Sequence, residues 1–278
     1  MSQLVHVRQR IQTIETIKRI TNAMRLVSRS SHFRLNKQKK AVQAYYQSVA
    51  HLFFGIQKQY PTWQYLSPTT HKQSNILYIL VGSHKGLCGN FNGVLFSFFD
   101  RFTDGPDASI FHLITIGHKA NEYGHAQYPH YVMSRFLDHT IASIASTSEH
   151  LAKILMAEQN NYKKIFLISN KVKNFFIYYP HATQLIPFIP PASSTTLQES
   201  TIEGDPYYLL NYLSELYLKT TIQALLFESL LAEQAARFIS MDSATRNADT
   251  ILENTRLSYN KLRQAKITKD MIEISSLC

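Results

Sequence analysis

Glycine and proline are absent from both ends of this 278-residue sequence. All nine glycines and all nine prolines lie between Gly55 and Pro206, which leaves 54 residues before them and 72 after them without either type. Because these two residues are the strongest local breakers of regular structure, the distribution predicts a long helix at each end of the chain, over 1–58 and 205–278. Asp205 followed by Pro206 suits the start of the second helix, as N-cap and first helical residue.

Cysteines and long apolar runs are also scarce. The two cysteines, Cys88 and Cys278, form no Cys-x-x-Cys pair, which excludes a disulfide framework and fits a reducing compartment. The longest apolar runs, such as Ile76 to Val81, have the length of a strand and fall far short of the roughly 18 residues needed to span a bilayer. These absences predict a protein that is soluble or peripheral to a membrane.

No local pattern of catalytic or metal-binding residues is present. The twelve histidines are scattered, without a His-Glu-x-x-His motif or a Cys/His cluster at metal-ligand spacing. We expect surface or strand-end positions for His112, His118, His125 and His130, and we expect Cys88 to be a buried structural thiol, since no base lies beside it. We therefore predict no cofactor, no metal and no catalysis by this chain.

The middle of the sequence alternates strand-like and helix-like segments. This alternation predicts βαβ units, and hence a Rossmann-like α/β domain with a mostly parallel sheet over residues 74–195. The predicted strands are 76–81, 110–116 and 164–168, the predicted helices are 91–102 and 141–160, a short helix or turn follows Gly117, and 173–191 is an edge strand or hairpin. The turn at 82–89 has neither the Gly-Lys-Ser/Thr of a Walker loop nor Gly-x-Gly-x-x-Gly, so tight-turn glycines are favoured over a nucleotide site.

Apolar residues recur at helical spacing in both end segments, which predicts an antiparallel coiled coil. In the first helix three successive steps of three residues, from Ile11 to Ile20, interrupt the heptad. The predicted seam comprises Leu4, Val7, Ile11, Ile14, Ile17, Ile20, Met24 and Val27 in the first helix, and Leu209, Leu213, Leu216, Ala224, Phe227, Leu231, Phe238, Ile251, Leu262, Ile267, Met271 and Ile274 in the last.

Positive charge is concentrated at the start of the chain. Residues 1–40 hold ten basic residues against Glu15 alone, so this stretch carries +9 of the net charge of +10. Charge alone does not separate a solvated helix face from a binding surface, and a nucleic-acid-binding coiled coil is one interpretation. A mitochondrial transit peptide has the same Arg-rich, acid-poor composition.

Three groups of residues resemble the gamma subunit of F-type ATP synthases. The C-terminal group reads Glu233-Gln-Ala-Ala-Arg237, Met241-Asp242-Ser-Ala244-Thr245-Arg-Asn247-Ala248 and Tyr259-Asn260-Lys-Leu-Arg263-Gln264-Ala265-Lys-Ile267-Thr268. The N-terminal group reads Arg8-x-Arg10-Ile11 and Ile20-Thr21-x-Ala23-Met24-x-x-Val27, and the central group Gly86-Leu87-Cys88-Gly89-x-Phe91-Asn92. They stand in the family's order across essentially the whole chain.

The resemblance implies a central rotor shaft that does no chemistry itself. It implies that the coiled coil enters the ring of alpha and beta subunits, and that the α/β domain lies near the epsilon subunit and the c-subunit ring, through which any membrane association is indirect. By motif match, Arg263, Gln264, Thr268 and Glu273 are expected contacts with the catalytic head, and Met24 and Arg25 lie in the region touched by the acidic lever of beta. We expect the surface of Arg19, Arg25 and Arg29 to face that acidic element.

The resemblance also has departures. His84, Lys85 and Asn90 stand where the family commonly has Asp, Arg and Gly, which puts a charge-pair role of that turn in doubt. Because the family motif starts within ten residues of Met1, we expect no transit peptide and a peripheral protein on the cytoplasmic side of a bacterial inner membrane. A basic nucleic-acid-binding coiled coil and a small α/β nucleotide-binding enzyme are the competing functional interpretations.

Overall fold

The computed structural model describes residues 2–60, 62–63, 75–103, 111–158, 161–189 and 205–276. By compactness the chain divides into unit 1, Met1–Ser30 with Arg237–Cys278, and unit 2, Ser31–Ala236. The elements in chain order are α1 Ser2–Gln59, β1 Ile76–Val81, α2 Phe91–Thr103, β2 Phe111–Ile116, α3 His118–Gln127, β3 Val132–Phe136, α4 Ile144–Glu158, β4 Lys164–Asn174, β5 Ile177–Ile186 and α5 Pro206–Ser275. None of the helices in the described ranges is long and apolar enough to cross a membrane.

Unit 2 contains a five-stranded sheet in the order β3-β2-β1-β4-β5. The pairs among the first four strands are parallel and β5 is antiparallel, which confirms a mostly parallel sheet. Pro180 lies in the edge strand β5, where its missing N–H disturbs one ladder only. Strand β3 is missing from the sequence prediction because its short, half-exposed pattern resembles a loop. The predicted strand residue Ile110 lies outside the described residues.

Alternate residues of β1 point into two different cores of unit 2. Leu77, Ile79 and Val81 pack on one face of the sheet with α4 and the first half of α5, and Leu218, Ile222 and Leu226 are buried there. The residues between them pack on the other face with α2 and α3. This two-residue alternation gives a strand buried on both faces, and its sequence is therefore continuously apolar.

The second half of α1 also packs against α5 within unit 2. Phe53 stacks on Tyr217 with ring centroids 5.2 Å apart, and Trp63 closes the cluster edge-on to Phe53. Trp63 donates its indole N–H to Asn211 at 2.8 Å. At the start of α5, the carboxylate of Asp205 accepts the N–H of Tyr207 at 2.9 Å, so Asp205 caps the helix as predicted.

In unit 1, residues of α1 and α5 form an antiparallel pair with a regular heptad. Ile14 packs against Ala248 and Leu252, and Arg25 pairs with Asp242, so α5 numbering falls as α1 numbering rises. Alternating steps of three and four residues connect the buried or half-buried positions, which are Leu4, Val7, Ile11, Ile14, Lys18, Thr21, Arg25 and Ser28 in α1, and Met241, Thr245, Ala248, Leu252, Thr255, Tyr259 and Leu262 in α5.

The predicted seam is therefore confirmed at Leu4, Val7, Ile11, Ile14 and Leu262 but wrong at other positions of both helices. Ile17, Ile20 and Val27 are 48%, 53% and 65% exposed. At about 100° per residue, the nine residues from Ile11 to Ile20 turn the stripe to the opposite side of the helix, and polar residues occupy the seam instead. In α5 the predicted seam residues Ile251, Ile267, Met271 and Ile274 are also exposed.

Neighbouring isoleucines of α1 test this register. Ile14→Ala should cost about 1–3 kcal/mol because it removes a side chain from the seam, whereas Ile17→Ala should cost under about 0.5 kcal/mol because Ile17 is exposed. The measurement is urea unfolding of the full chain, with hydrogen exchange along residues 2–30 to report on unit 1. Equal effects of the two substitutions would contradict the heptad described here.

His139 is buried just after β3, with 2% of its surface exposed, and its Nε2 atom has no hydrogen-bond partner among the residues that the structure describes. Burial, assisted by the nearby His84, lowers the pKa of His139 to about 4. As the pH falls, the His139 imidazole is therefore protonated in the unfolded chain before it is protonated in the folded chain. The free energy of unfolding should decrease as the pH drops from about 6.5 to about 4. This single group should cost about 2 kcal/mol at pH 5.

His139→Leu should make the pH dependence of unfolding shallower between pH 6.5 and 4, because it removes the buried titrating group. The measurement is the free energy of unfolding in urea at pH 7 and pH 5. The matched control is His130→Leu, at an exposed histidine, which should keep the original dependence. An unchanged pH slope in His139→Leu would show that the buried imidazole does not control acid stability.

Candidate partner-contact surface

Polar pairs cross the coiled coil of unit 1 at several levels. Thr245 donates to the hydroxyl of Thr21 at 3.0 Å, Arg256 pairs with Glu15 at 2.6 Å, and Lys18 pairs with Asp249. Acids of α5 thus compensate part of the positive charge of α1. Since polar pairs at seam positions fix register at some cost in stability, they align the two helices.

Arg25 is one of these internal pairs. Its Nη1 atom donates to Asp242 at 2.7 Å and its Nη2 atom to Asn22 at 2.9 Å, while Asp242 also pairs with Arg246 at 2.8 Å. The side chain of Arg25 keeps 32% of its surface exposed. Arg25, which is a predicted partner contact, therefore also links α1 to α5 within unit 1.

Two different surfaces flank the seam of α1. Arg19 and Arg29 are both exposed and lie about 80° apart around the helix, on the side of Lys18 and Arg25. The exposed Ile20 and Val27 lie about 20° apart on the other side, with Met24, which is half-buried, between them and the seam. Unit 1 therefore presents a basic flank at Arg19 and Arg29 and an apolar flank at Ile20 and Val27.

The C-terminal part of α5 is exposed on all sides. Every described residue from Ile267 to Ser276 is exposed. Leu4, near the start of α1, lines a shallow pocket with Leu262 and Glu273 of α5. Of the predicted contact residues, Gln264 and Thr268 lie on one face, where the Thr268 hydroxyl donates to the Gln264 carbonyl at 3.0 Å. Arg263 is about 100° from Gln264 around the helix, and Glu273 is on the opposite face, paired with Lys269 at 3.7 Å.

The glycine-bearing turn after β1 uses its polar groups internally. The N–H of Ser83 donates to Asn92 at 3.0 Å, and the amide of Asn92 donates to the Ser83 hydroxyl at 2.8 Å. The N–H of His84 donates to the carboxylate of Glu233 on α5 at 3.3 Å. Leu87 has a φ of 63°, in the left-handed region that L-residues with side chains rarely adopt.

Helix α5 runs over the carboxyl ends of β1 and β4. Strand order reverses between these strands, and that crevice is where doubly wound sheets bind ligands. Here Cys88 and Phe91 pack against Ala232 and Ala236. Cys88 is 3% exposed, which confirms the expected buried thiol. The chain's own helix therefore occupies the position that a nucleotide takes in such folds.

His84 and His118 lie near this edge of the sheet, whereas His112 lies at the opposite edge, near the start of β2. The rings of His84 and His118 lie 5.3 Å apart, and His118, His125 and His130 are exposed as expected. His112 is half-buried and hydrogen-bonds the Tyr162 hydroxyl at 2.8 Å. In the part of the chain that the structure describes, no group of three His, Cys, Asp or Glu side chains has the geometry of a metal site. Buried His139 had no local sequence signal, because its position depends on β3, which the sequence pattern does not predict.

Comparison with known proteins gives a consistent result over the full length. The family model described as ATP synthase matches residues 3–276. The ATP synthase gamma chains of Clostridium novyi (strain NT) and Mycoplasmopsis pulmonis (strain UAB CTIP) are each 30% identical to this chain. The alignments cover 98% and 99% of this chain and 95% and 98% of those proteins.

Solved structures share the fold. A chain of the Tetrahymena thermophila mitochondrial ATP synthase central stalk and c-ring structure superposes with a TM-score of 0.61 at 21% identity, over 81% of this chain and 99% of that one. A chain of the Euglena gracilis mitochondrial ATP synthase structure superposes with a TM-score of 0.58 at 15% identity, over 94% and 93%. By its family match and its full-length relatives, this chain belongs to the ATP synthase gamma chain family.

Proposed function

We propose that the chain is the central rotor shaft of a rotary F-type ATP synthase. It couples ion flow through the membrane to ATP synthesis or hydrolysis at the beta subunits and is itself non-catalytic. The observation that carries the proposal is the antiparallel pairing of the two terminal helices in unit 1, in a chain of the gamma chain family.

The geometry of unit 1 suits the transmission of torque. Two helices joined along a heptad seam resist bending and twisting better than one, and the cross-helix pairs of Arg25 with Asp242 and Arg256 with Glu15 keep them from sliding. A basic flank and an apolar flank make the pair unequal around its axis. Each surrounding catalytic subunit therefore meets a different surface as the shaft turns.

The partners follow from this role. Alpha and beta subunits surround the coiled coil, and the α/β domain meets the epsilon subunit and the c ring, so membrane association is indirect. The chain has three functional segments, which are the N-terminal helix 1–58, the α/β domain 74–195 and the C-terminal helix 205–278. The protein is peripheral on the cytoplasmic side of a bacterial inner membrane. The coupled ion, H⁺ or Na⁺, is chosen in the c ring rather than in this chain.

Two sets of residues form the proposed contacts with the catalytic head. Arg19 and Arg29, with Arg25 beside them, meet the acidic element of beta, since their exposed guanidinium groups offer charge-steered contacts that form and break quickly. Met24, on the side of the apolar flank, is a further contact in the same region of α1. The second set, on the exposed end of α5, consists of Arg263, Gln264, Thr268 and Glu273.

Reconstitution tests the rotor assignment. Alpha and beta chains from the same source should hydrolyse ATP steadily only when this chain is added, because the shaft drives each catalytic site through its states in turn. The measurement is steady-state ATPase activity with and without the chain. A salt-sensitive complex with duplex DNA, together with no effect on ATPase activity, would replace the rotor by the nucleic-acid-binding alternative.

Charge reversal tests the basic flank. Arg19→Glu with Arg29→Glu should lower the ATPase activity of the reconstituted complex roughly five- to tenfold, because attraction to an acidic partner becomes repulsion. Thermal stability of the chain should change little, since both side chains are exposed. Arg101→Glu is the control, at an exposed arginine of α2 outside both contact sets. Equal activity of the double variant and the control would remove Arg19 and Arg29 from the contact surface.

A further inference from the structure

Unit 2 contains a cavity that the rotor function does not use. Its volume is about 260 Å³, and it lies between the second half of α1, the first half of α5 and the paired strands β4 and β5. Val42, Leu225 and Phe227 form its apolar part. Its charged lining residues are Lys39, Lys171 and Glu228, and its uncharged polar lining residues are Gln43, Tyr46, Thr183 and Thr221.

The charged residues that line the cavity have a net positive charge, because two lysines face one glutamate. Lys39 and Lys171 are both half-buried, and neither forms an ion pair within the described ranges. Glu228 is the only acid of the lining, and its carboxylate already accepts the N–H of Val172 at 3.4 Å. Burial lowers the pKa of Lys171, and the field of Glu228 opposes this only in part. Two half-buried ammonium groups beside a single carboxylate leave a net positive charge, which favours an incoming anion.

The hydroxyl of Thr183 supplies an independent observation. Thr183 lines the cavity, but its hydroxyl oxygen is buried behind the cavity wall and has no hydrogen-bond partner among the described residues. Most buried hydroxyl groups are hydrogen-bonded, and leaving one unpaired costs about 1–3 kcal/mol. A rotation of the side chain about its Cα–Cβ bond would turn the hydroxyl into the cavity, where a ligand acceptor would pair it.

We propose that the cavity binds a small amphiphilic anion, a carboxylate with a short hydrocarbon tail. Lys171 and Lys39 hold the carboxylate and Thr183 donates to it, while the tail covers Leu225 and Phe227. The volume lies just below the roughly 300–1,000 Å³ of drug-sized pockets, so the ligand has on the order of ten heavy atoms. The two lysines exclude a cationic ligand, and the apolar part makes a bare phosphate a poor fit.

Such a ligand would bridge three elements of unit 2. Lys39 belongs to α1, Lys171 and Thr183 to the β4–β5 pair, and Leu225 to α5. Binding would therefore stiffen the packing of both long helices on the sheet without touching the proposed contacts with the catalytic head. The proposal concerns a ligand site and does not depend on the rotor assignment.

Octanoate is a suitable probe for the full-length chain. Isothermal titration should show saturable binding with a Kd of about 0.1 mM, typical of a ligand with about ten heavy atoms. Octanol and octyltrimethylammonium should bind at least tenfold more weakly, because they lack the negative charge. Lys171→Met should weaken octanoate binding at least tenfold, whereas Lys173→Met, at an exposed lysine of the same strand, should leave it unchanged.

Thr183→Val keeps the proposal testable if Lys171→Met fails to fold. It should weaken octanoate binding severalfold while raising the unfolding midpoint, because it removes the unpaired hydroxyl without changing the shape of the side chain. Absence of saturable binding, equal binding of octanol, or an equal loss in Lys173→Met would overturn the proposal. Octanoate binding by the isolated chain but not by the complex assembled with alpha and beta chains would also overturn the proposal. That result would indicate that a side chain of a partner subunit fills the cavity in the complex.

Discussion

The alternation of three- and four-residue steps along α1 and α5 is the constraint on which unit 1 depends. Two helices that supercoil around each other stay in contact over many turns if each presents a side chain to the other every 3.5 residues on average. The chain meets this condition with few large apolar residues. Ile11, Ile14, Ala248 and Leu252 form one compact apolar cluster, and Lys18, Thr21 and Arg25 continue the seam through hydrogen bonds and ion pairs.

A polar seam of this kind has a mechanical consequence. Apolar contacts tolerate small sliding movements, because dispersion and the hydrophobic effect have little directional preference. The bond from Thr245 to Thr21 and the ion pair of Arg25 with Asp242 have preferred lengths and directions, so a shift of either helix along the other breaks them. Buried apolar side chains therefore hold the two helices together, and the directional hydrogen bonds and ion pairs between them fix their register.

The sequence predicted the general architecture because strong, local signals carry it. The absence of Gly and Pro located both long helices, and the runs of β-branched and aromatic residues located β1, β2 and β4. The seam could not be read from apolar residues alone, because Ile17 and Ile20 are exposed while the polar Thr21 and Ser28 are turned inward. Which residues are buried was decided by α5, more than 200 residues away in sequence.

The contact set shows the same limit. The sequence analysis grouped Arg19, Arg25 and Arg29 as one basic surface, but only the structure separates Arg25, which pairs with Asp242, from the two arginines on the exposed flank. The cavity had no sequence signal either. Lys39, Lys171 and Thr183 are far apart along the chain and are ordinary residues in their own helix and strands. Their common property, incomplete pairing beside apolar side chains, exists only after folding.

Helix α5 occupies the crevice in which doubly wound sheets bind nucleotides. The parallel sheet still ends its β1 and β4 strands at a crevice, and the following turn still carries glycines and a helix start. The backbone N–H groups near the crevice form hydrogen bonds within the protein. Glu233 of α5 accepts the N–H of His84, and Glu228 of α5 accepts the N–H of Val172. The backbone donors that would hold a phosphate hold a helix instead. The crevice that binds ligands in other doubly wound folds therefore holds α5 in this chain.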